Sequence, residues 1–211
     1  MMTALLGCHD TSPPNVILVI VDTLRADHLP FYGYARNTMP HLASWVDDAV
    51  VFEDCSSPIP ITTPAISSIV TGLYPRNHGV RNTGDVLDEK LLTTAEVFQQ
   101  AGYETAAFAS INGLLTRLNV GQGFTVRDDE TLLPAEKGDF PWYTPEGAEM
   151  WQRRANEVTD AALAWLAREA TEPYFLFIHY FDPHAYYDPR PPFRDAFTPE
   201  EISTPPGLRS W

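Results

Sequence analysis

The 211-residue chain is long enough for one large domain or two small ones, and 44% apolar residues are sufficient to bury a core. Its 14 basic and 28 acidic residues give a formal net charge of −14. This charge argues against nucleic acid or an anionic membrane surface as the main partner. An anionic substrate would therefore need a metal ion or a local basic side chain to hold it. The two cysteines imply no disulfide framework.

The first residues contain a short motif, Leu5-Leu6-Gly7-Cys8, that resembles the lipobox at which bacterial lipoproteins are cleaved and acylated. Only seven residues precede Cys8, without a basic or fully apolar segment, so a late start codon and a chance match both stay open. We predict that residues 1–14 are a signal remnant and linker. The protein would then be exported, either periplasmic or tethered to the bacterial membrane through Cys8. No run reaches the roughly 18–20 apolar residues of a transmembrane helix.

The next stretch is a predicted core strand. Six aliphatic residues from Val16 to Val21 follow two prolines and end at Asp22. This pattern is typical of a strand buried on both faces of a parallel sheet, with the carboxylate at the sheet's carboxyl edge, where ligands collect. The alternative is that Asp22 only caps the turn after the strand.

Two short elements are predicted after this strand. Met39–Asp48 reads as a short helix that turns Leu42, Trp45 and Val46 inward, and Val50–Asp54 reads as a short strand.

A hydroxyl-bearing helix start follows a proline-broken loop. Pro64 suits the first helical position and Thr63 the N-cap, and Gly72 ends the helix. A hydroxyl in this place lies among unpaired backbone N–H groups at the positive end of the helix dipole, which favours binding of an anionic group. Plain capping is the alternative for Thr62 and Thr63.

The middle of the chain predicts a helix and a strand. Thr93–Glu96 is a capping box, the helix ends before Gly102, and Glu104–Ser110 is the next strand. Asn112–Tyr143 has no clear periodicity and is interpreted as an excursion over the sheet edge that lines the pocket.

A long helix and a second buried strand complete the predicted fold. The helix runs from Thr144 to about Ala170, and its apolar face comprises Trp151, Ala155, Val158, Ala162 and Trp165. Tyr174–Phe181 is the strand, after which comes His184. Alternating strands and helices predict an α/β fold, a mostly parallel sheet flanked by helices on both faces. Residues 15–193 would be the domain, and residues 194–211 an irregular tail that marks a truncation.

Three polar positions are predicted to meet at one edge of this sheet: Asp22, Thr62 or Thr63, and His184. The carboxylate would hold a divalent metal, which would lower the pKa of the hydroxyl and neutralise an anionic substrate. His184 could instead be satisfied by backbone, and His179 is interpreted as a core histidine.

Three motifs, NVILVIVDTLRADHLPFYGY, TPAISSIVTGLYPRNHGV and FIHYFDPHAYYDP, resemble in this order those of the sulfatase branch of the alkaline phosphatase superfamily. The resemblance implies an alkaline phosphatase-like fold and a divalent cofactor, either calcium, zinc or manganese. It places Asp22 and Thr62 at the metal, with Thr62 as nucleophile and His184 as a second catalytic residue.

The resemblance also implies substrate-binding residues and a substrate class. His78 matches a turn that borders the site, and Asn112 falls in the stretch where the family has a Lys-x-His sequence. The substrate would be a small-molecule or glycan ester.

The departures from the family pattern leave three functions open. Thr62 replaces the Cys or Ser that matures to formylglycine, Ile66 replaces an arginine, and Thr23 replaces a second aspartate. The Asp-His-Gly sequence of the family's C-terminal half is absent. The hypotheses are a sulfate or phosphate ester hydrolase with a threonine nucleophile, a phosphodiesterase or phosphoryl transferase, and an inactive fragment without the C-terminal metal ligands.

Overall fold

The computed structural model describes residues 13–129 and 153–184, together with Pro189 and Phe193. Its four strands form one parallel sheet in the order β1-β4-β2-β3. The strands are β1 (Val16–Val21), β2 (Glu104–Ala109), β3 (Val126–Asp128) and β4 (Tyr174–Tyr180). The predicted parallel α/β sheet is therefore confirmed, and three strands lie within one residue of their predicted bounds. The three-residue β3 was missed, because so short a run has no readable periodicity.

Five α-helices surround this sheet in the described part of the chain. They are α1 (Pro40–Ala43), α2 (Thr62–Thr71), α3 (Pro75–His78), α4 (Thr94–Gln100) and α5 (Ala155–Arg168). Short 3-10 turns cover Ala26–His28, Pro30–Tyr32 and Val46–Asp48. The predicted capping box is confirmed, since the Thr93 hydroxyl accepts from the Glu96 backbone and the Glu96 carboxylate from the Thr93 backbone. None of the described helices is long and apolar enough to cross a bilayer.

The interior strand β4 separates two apolar clusters. Phe175 and Phe177 point to one face, where they pack with residues of α2 and α4. Leu176 and Ile178 point to the other, where they pack against α5. Because both faces of β4 are covered, the predicted arrangement of helices on both sides of the sheet is confirmed.

Strand β1 is partly buried on one face and exposed on the other, so its predicted burial on both faces is wrong. Ile17 and Val19 are about half exposed, at 51% and 50%. Their neighbours in register are Leu176 and Ile178, which α5 covers. Helix α5 packs on β2 and β4 and does not extend over the sheet edge formed by β1. A continuous aliphatic run does not reveal which strand lies at an edge.

The segment from Met39 to Asp54 also differs from its prediction. The helix is a single turn, α1, followed by a 3-10 turn, and Leu42 and Trp45 are 41% and 70% exposed. No strand forms in this described segment, where Val50 is 81% exposed. Apolar residues form a strand only where a neighbouring strand accepts their backbone hydrogen bonds.

Helix α5 begins later than predicted. Arg153 and Arg154 are not helical, and the helix starts at Ala155. Its buried residues are Val158, Ala162 and Trp165, as predicted. Trp151, most of the predicted first part of the helix, residues 1–12 and the predicted tail lie outside the described residues.

The start of α2 is shifted relative to its prediction. The N-cap is Ile61, so Thr63 is not the N-cap, and no side chain caps this end. Thr62 is the first helical residue, and its hydroxyl is therefore free of the capping role that would have turned it toward its own helix. The helix ends at Gly72, which has a left-handed φ of 70°.

His78 joins α3 to α2 from a buried position. Its Nε2 lies 2.9 Å from Ser68 Oγ, and its Nδ1 accepts the Val80 N–H at 3.1 Å. Ser68 Oγ in turn donates to the Pro64 carbonyl. An accepting Nδ1 requires a neutral ring, and burial lowers the pKa of His78 from its usual 6.5 despite opposing backbone hydrogen bonds.

This pKa makes His78 a source of acid sensitivity. The folded ring stays neutral while the unfolded ring binds a proton, so the free energy of unfolding falls as the pH drops below 6.5. We expect the free energy of unfolding of the His78→Gln variant to change less with pH, with a slope smaller by at most about 1.4 kcal/mol per pH unit. Urea unfolding of both proteins between pH 7.5 and 5.5 measures these slopes. Equal slopes for the two proteins would show that His78 does not titrate differently on folding.

Candidate active site

The carboxyl ends of three strands are tied together by backbone hydrogen bonds. The Asp22 N–H donates to the Tyr180 carbonyl at 2.8 Å, and the Ser110 N–H donates to the His179 carbonyl at 3.0 Å. Residues that follow β1, β2 and β4 therefore have fixed relative positions. This edge is where parallel α/β sheets collect ligands.

The hydroxyl of Thr62 meets the carboxylate of Asp22 at this edge. Thr62 Oγ1 donates to Asp22 Oδ2 at 2.8 Å, although the residues are 40 positions apart. Strand β1 delivers the carboxylate and the first turn of α2 delivers the hydroxyl. The predicted meeting of these two side chains is confirmed, while their roles stay predictions.

His179 is a third member of this cluster that was interpreted as a core histidine. Its ring is fully buried in β4, and Nε2 lies 3.5 Å from Asp22 Oδ2. This distance is longer than an ordinary hydrogen bond, so we describe it as an electrostatic contact. The missed signal was register: His179 pairs with Ile20, two residues before Asp22, so both side chains point to the same face of the sheet.

The surroundings of Asp22 favour its charged form. Burial raises the pKa of this carboxyl, but interactions with His179 and Thr62 and the charge of His184 together hold the pKa below 3.8. At neutral pH the group is therefore a carboxylate that accepts hydrogen bonds. Both the Thr62 and the His179 contact use the oxygen Oδ2, which leaves Oδ1 outside them.

His184 lies in the turn after β4. Its backbone N–H donates to the Phe181 carbonyl at 2.9 Å, and its ring stacks on Phe181 with centroids 4.2 Å apart. The ring is close enough to Asp22 for its charge to lower the carboxyl pKa. The structure thus brings Asp22, Thr62 and His184 to the same edge.

The two predicted substrate contacts have different surroundings. Asn112 is half-buried in the turn after β2, two residues beyond Ser110. His78 is buried and both of its ring nitrogens are used within the fold. This favours a structural role for His78, and its contact with substrate stays a prediction.

Arg153 was not singled out from the sequence, yet it ties β3 to β2 at the same edge. Its guanidinium donates to Asp128 Oδ1 at 2.8 Å and to the Ala109 carbonyl at 3.2 Å. Its backbone N–H donates to the Ser110 carbonyl. Arg153 therefore stabilises the edge, with its charge already paired to Asp128.

Two of the described side chains have the chemistry that a divalent metal site would require. The Asp22 carboxylate and the Thr62 hydroxyl are adjacent oxygen donors of the kind that hard divalent ions prefer. No group of three or more His, Cys, Asp or Glu side chains that could hold an ion occurs within residues 13–129 and 153–184. A catalytic zinc site commonly has three protein ligands, so Asp22 and Thr62 could supply only part of the ligands of such an ion.

Comparison with known proteins gives a consistent result. The family model described as Sulfatase matches residues 14–204. The ulvan-active sulfatase of Formosa agariphila is 25% identical over an alignment 213 residues long, and the alignment covers 94% of this chain and 41% of that protein. The crystal structure of the phosphonate monoester hydrolase of Agrobacterium radiobacter matches with a TM-score of 0.65 at 23% identity, covering 89% of this chain and 44% of that one.

A zinc complex shares the fold as well. The C-terminal periplasmic domain of EcEptC from Escherichia coli, solved with Zn, matches with a TM-score of 0.63 at 18% identity, over 94% of this chain and 52% of that one. These two structural likenesses show an alkaline phosphatase-like fold. The chain spans less than half the length of its sulfatase relative. Since the family model covers nearly the whole chain, and the three motifs fall in the order of that family, the chain belongs to the sulfatase family.

Proposed function

We propose that this protein hydrolyses sulfate or phosphate esters, with Thr62 as the nucleophile and Asp22 as the group that orients it and binds a divalent metal. The contact that carries the proposal is the 2.8 Å hydrogen bond from Thr62 Oγ1 to Asp22 Oδ2. A nucleophilic hydroxyl held by an acceptor is a recurring arrangement of covalent catalysis. Its place in the first turn of α2 adds unpaired backbone N–H groups that suit an anionic ester.

The residues divide the reaction between them. Thr62 Oγ1 attacks the phosphorus or sulfur atom while its proton passes along the hydrogen bond toward Asp22 Oδ2. His184 gives a proton to the leaving oxygen and then takes one from the water that attacks the ester formed on Thr62. The bond from Thr62 Oγ1 to phosphorus or sulfur breaks, this oxygen recovers its proton from Asp22 Oδ2, and the acid is released. A calcium, zinc or manganese ion held by Asp22 and Thr62 would neutralise the negative charge of the ester.

The identity of the nucleophile bears on the class of ester. Threonine carries one hydroxyl on a carbon that also bears a methyl group, so it cannot form the aldehyde hydrate of formylglycine. An ester on Oγ1 is therefore released when a second nucleophile, either water or an alcohol, attacks its phosphorus or sulfur atom. The fold shared with a phosphonate monoester hydrolase supports phosphorus esters, and the sulfatase relative supports sulfate esters.

Transfer of a phosphoryl-linked group to an alcohol is a second candidate. Water and an acceptor alcohol would compete for the same ester on Thr62, so the products separate the two functions. Hydrolysis releases only the free acid, whereas transfer gives a new ester with the added alcohol. A chain that is inactive by itself is the third hypothesis, because it spans less than half the length of its relative.

The same comparisons support proposals for the substrate and for the cellular location. The relative acts on ulvan by its name, which supports a sulfated glycan or a smaller ester as substrate. The fold shared with a periplasmic domain supports an exported protein. A lipid tether at Cys8 stays a prediction, since that residue lies outside the described part.

Replacement of Thr62 tests the nucleophile. We expect Thr62→Ala to lower kcat by about 10³-fold or more, because no oxygen remains to attack the ester, and Thr62→Ser to keep most of the turnover. Release of nitrophenol from p-nitrophenyl sulfate, bis(p-nitrophenyl) phosphate and a p-nitrophenyl phosphonate measures this. Unchanged turnover by Thr62→Ala would refute the assignment.

Chelation tests the metal. Dialysis against EDTA should abolish turnover while the fold is retained, and addition of manganese, calcium or zinc should restore it, with circular dichroism as the control for folding. Full activity after chelation, verified by elemental analysis of the dialysed protein, would show that Asp22 acts without a bound ion.

A further inference from the structure

His179 is a buried side chain whose polar atoms are not satisfied by the fold. The residue is 0% exposed, and neither ring nitrogen has a hydrogen-bond partner of normal geometry among the described residues. Burying such a group destabilises a protein unless something offsets it. An apolar residue at this position of the core would avoid that cost.

The ring is held firmly in place. β4 is an interior strand, and His179 lies between Ile20 of β1 and Ala109 of β2, each in register with it. The ring of Phe181, the residue after the end of β4, lies 6.3 Å from the His179 ring, measured between centroids. The His179 backbone is therefore paired on both sides, and its imidazole is not exposed to solvent.

One end of the ring faces the candidate active site. Nε2 lies 3.5 Å from Asp22 Oδ2, and this same oxygen accepts the hydrogen bond from Thr62 Oγ1. Because two groups contact the same oxygen, rotation of the Asp22 carboxylate is restricted. In metal sites, hydrogen bonds from residues that do not bind the metal orient the metal ligands in the same way.

We propose that His179 is a positioning residue, which holds the Asp22 carboxylate through Nε2–H and thereby sets the direction of the Thr62 hydroxyl. The proposal rests on the function proposed above, since it gives His179 a role in presenting that nucleophile. This role also explains why the core contains an imidazole whose nitrogens have no hydrogen bond of normal length. The residue lowers stability and supports activity, a trade-off known from other active sites.

Two substitutions separate positioning from packing. His179→Phe keeps a ring and removes both nitrogens, whereas His179→Gln keeps an N–H donor at the position of Nε2. We expect His179→Phe to lower kcat about 10- to 100-fold with KM unchanged, because the nucleophile is misdirected and the substrate site is not. Its urea unfolding midpoint should be equal or higher, because two buried polar atoms are gone. His179→Gln should recover most of the lost kcat.

The ring itself gives a readout that needs no activity. Nitrogen-15 shifts of His179 in the unchanged protein should show a proton on Nε2, as a donor to Asp22 requires. A bare Nε2 would overturn the proposal, and so would a stable His179→Phe variant with normal kcat.

Thr62→Ala, assayed in parallel, distinguishes failure of this proposal from failure of the proposed function. If Thr62→Ala is inactive and His179→Phe is fully active, only the positioning role is wrong. If Thr62→Ala keeps its turnover, the proposed function fails and the positioning role fails with it.

Discussion

The hydrogen bond between Thr62 and Asp22 joins two elements that the chain builds separately. Asp22 follows strand β1 and Thr62 begins α2, so their 2.8 Å contact depends on the apolar cluster that α2 shares with β1 and β4. Because the carboxylate is partly buried and charged, it needs donors close by, and the hydroxyl is one of them. The same contact satisfies the carboxylate and fixes the hydroxyl.

The parallel sheet places the other residues of the candidate site at the same edge as this contact. Backbone hydrogen bonds from Asp22 and from Ser110 to β4 align the carboxyl ends of β1, β2 and β4. Hydrogen bonds from Arg153 to Asp128 and Ala109 connect the end of β3 to the end of β2. The turn that carries His184 begins at this level and stacks its ring on Phe181. A change in the core that tilts one strand would therefore move side chains of the candidate site that it does not touch.

Much of this could be predicted from local sequence patterns. The aliphatic run before Asp22, the aromatic run before His184 and the capping box at Thr93 each contain their whole signal within a few residues. The strands, the parallel topology and the meeting of Asp22 with Thr62 follow from such signals, because parallel strands align their carboxyl ends.

The missed features depend on what lies next to a residue in space. The exposure of Ile17 and Val19 depends on where α5 ends over the sheet, and the exposure of Trp45 on how short α1 is. His179 looks like any polar residue in an apolar strand until its register with β1 places it under Asp22. The sequence alone shows which side chains of a strand share a face, but it does not show which strand lies beside it.

The proposed chemistry requires that the Thr62 hydroxyl and the Asp22 carboxylate interact directly in the folded protein. A double-mutant cycle measures this interaction, with Thr62→Val, Asp22→Ala and the double variant unfolded by urea at neutral pH in the presence of EDTA. A hydrogen bond to a charged group predicts a coupling free energy of about 1.5–3 kcal/mol between the two sites. Effects of the two substitutions that add to within about 0.5 kcal/mol would show that the two side chains do not interact.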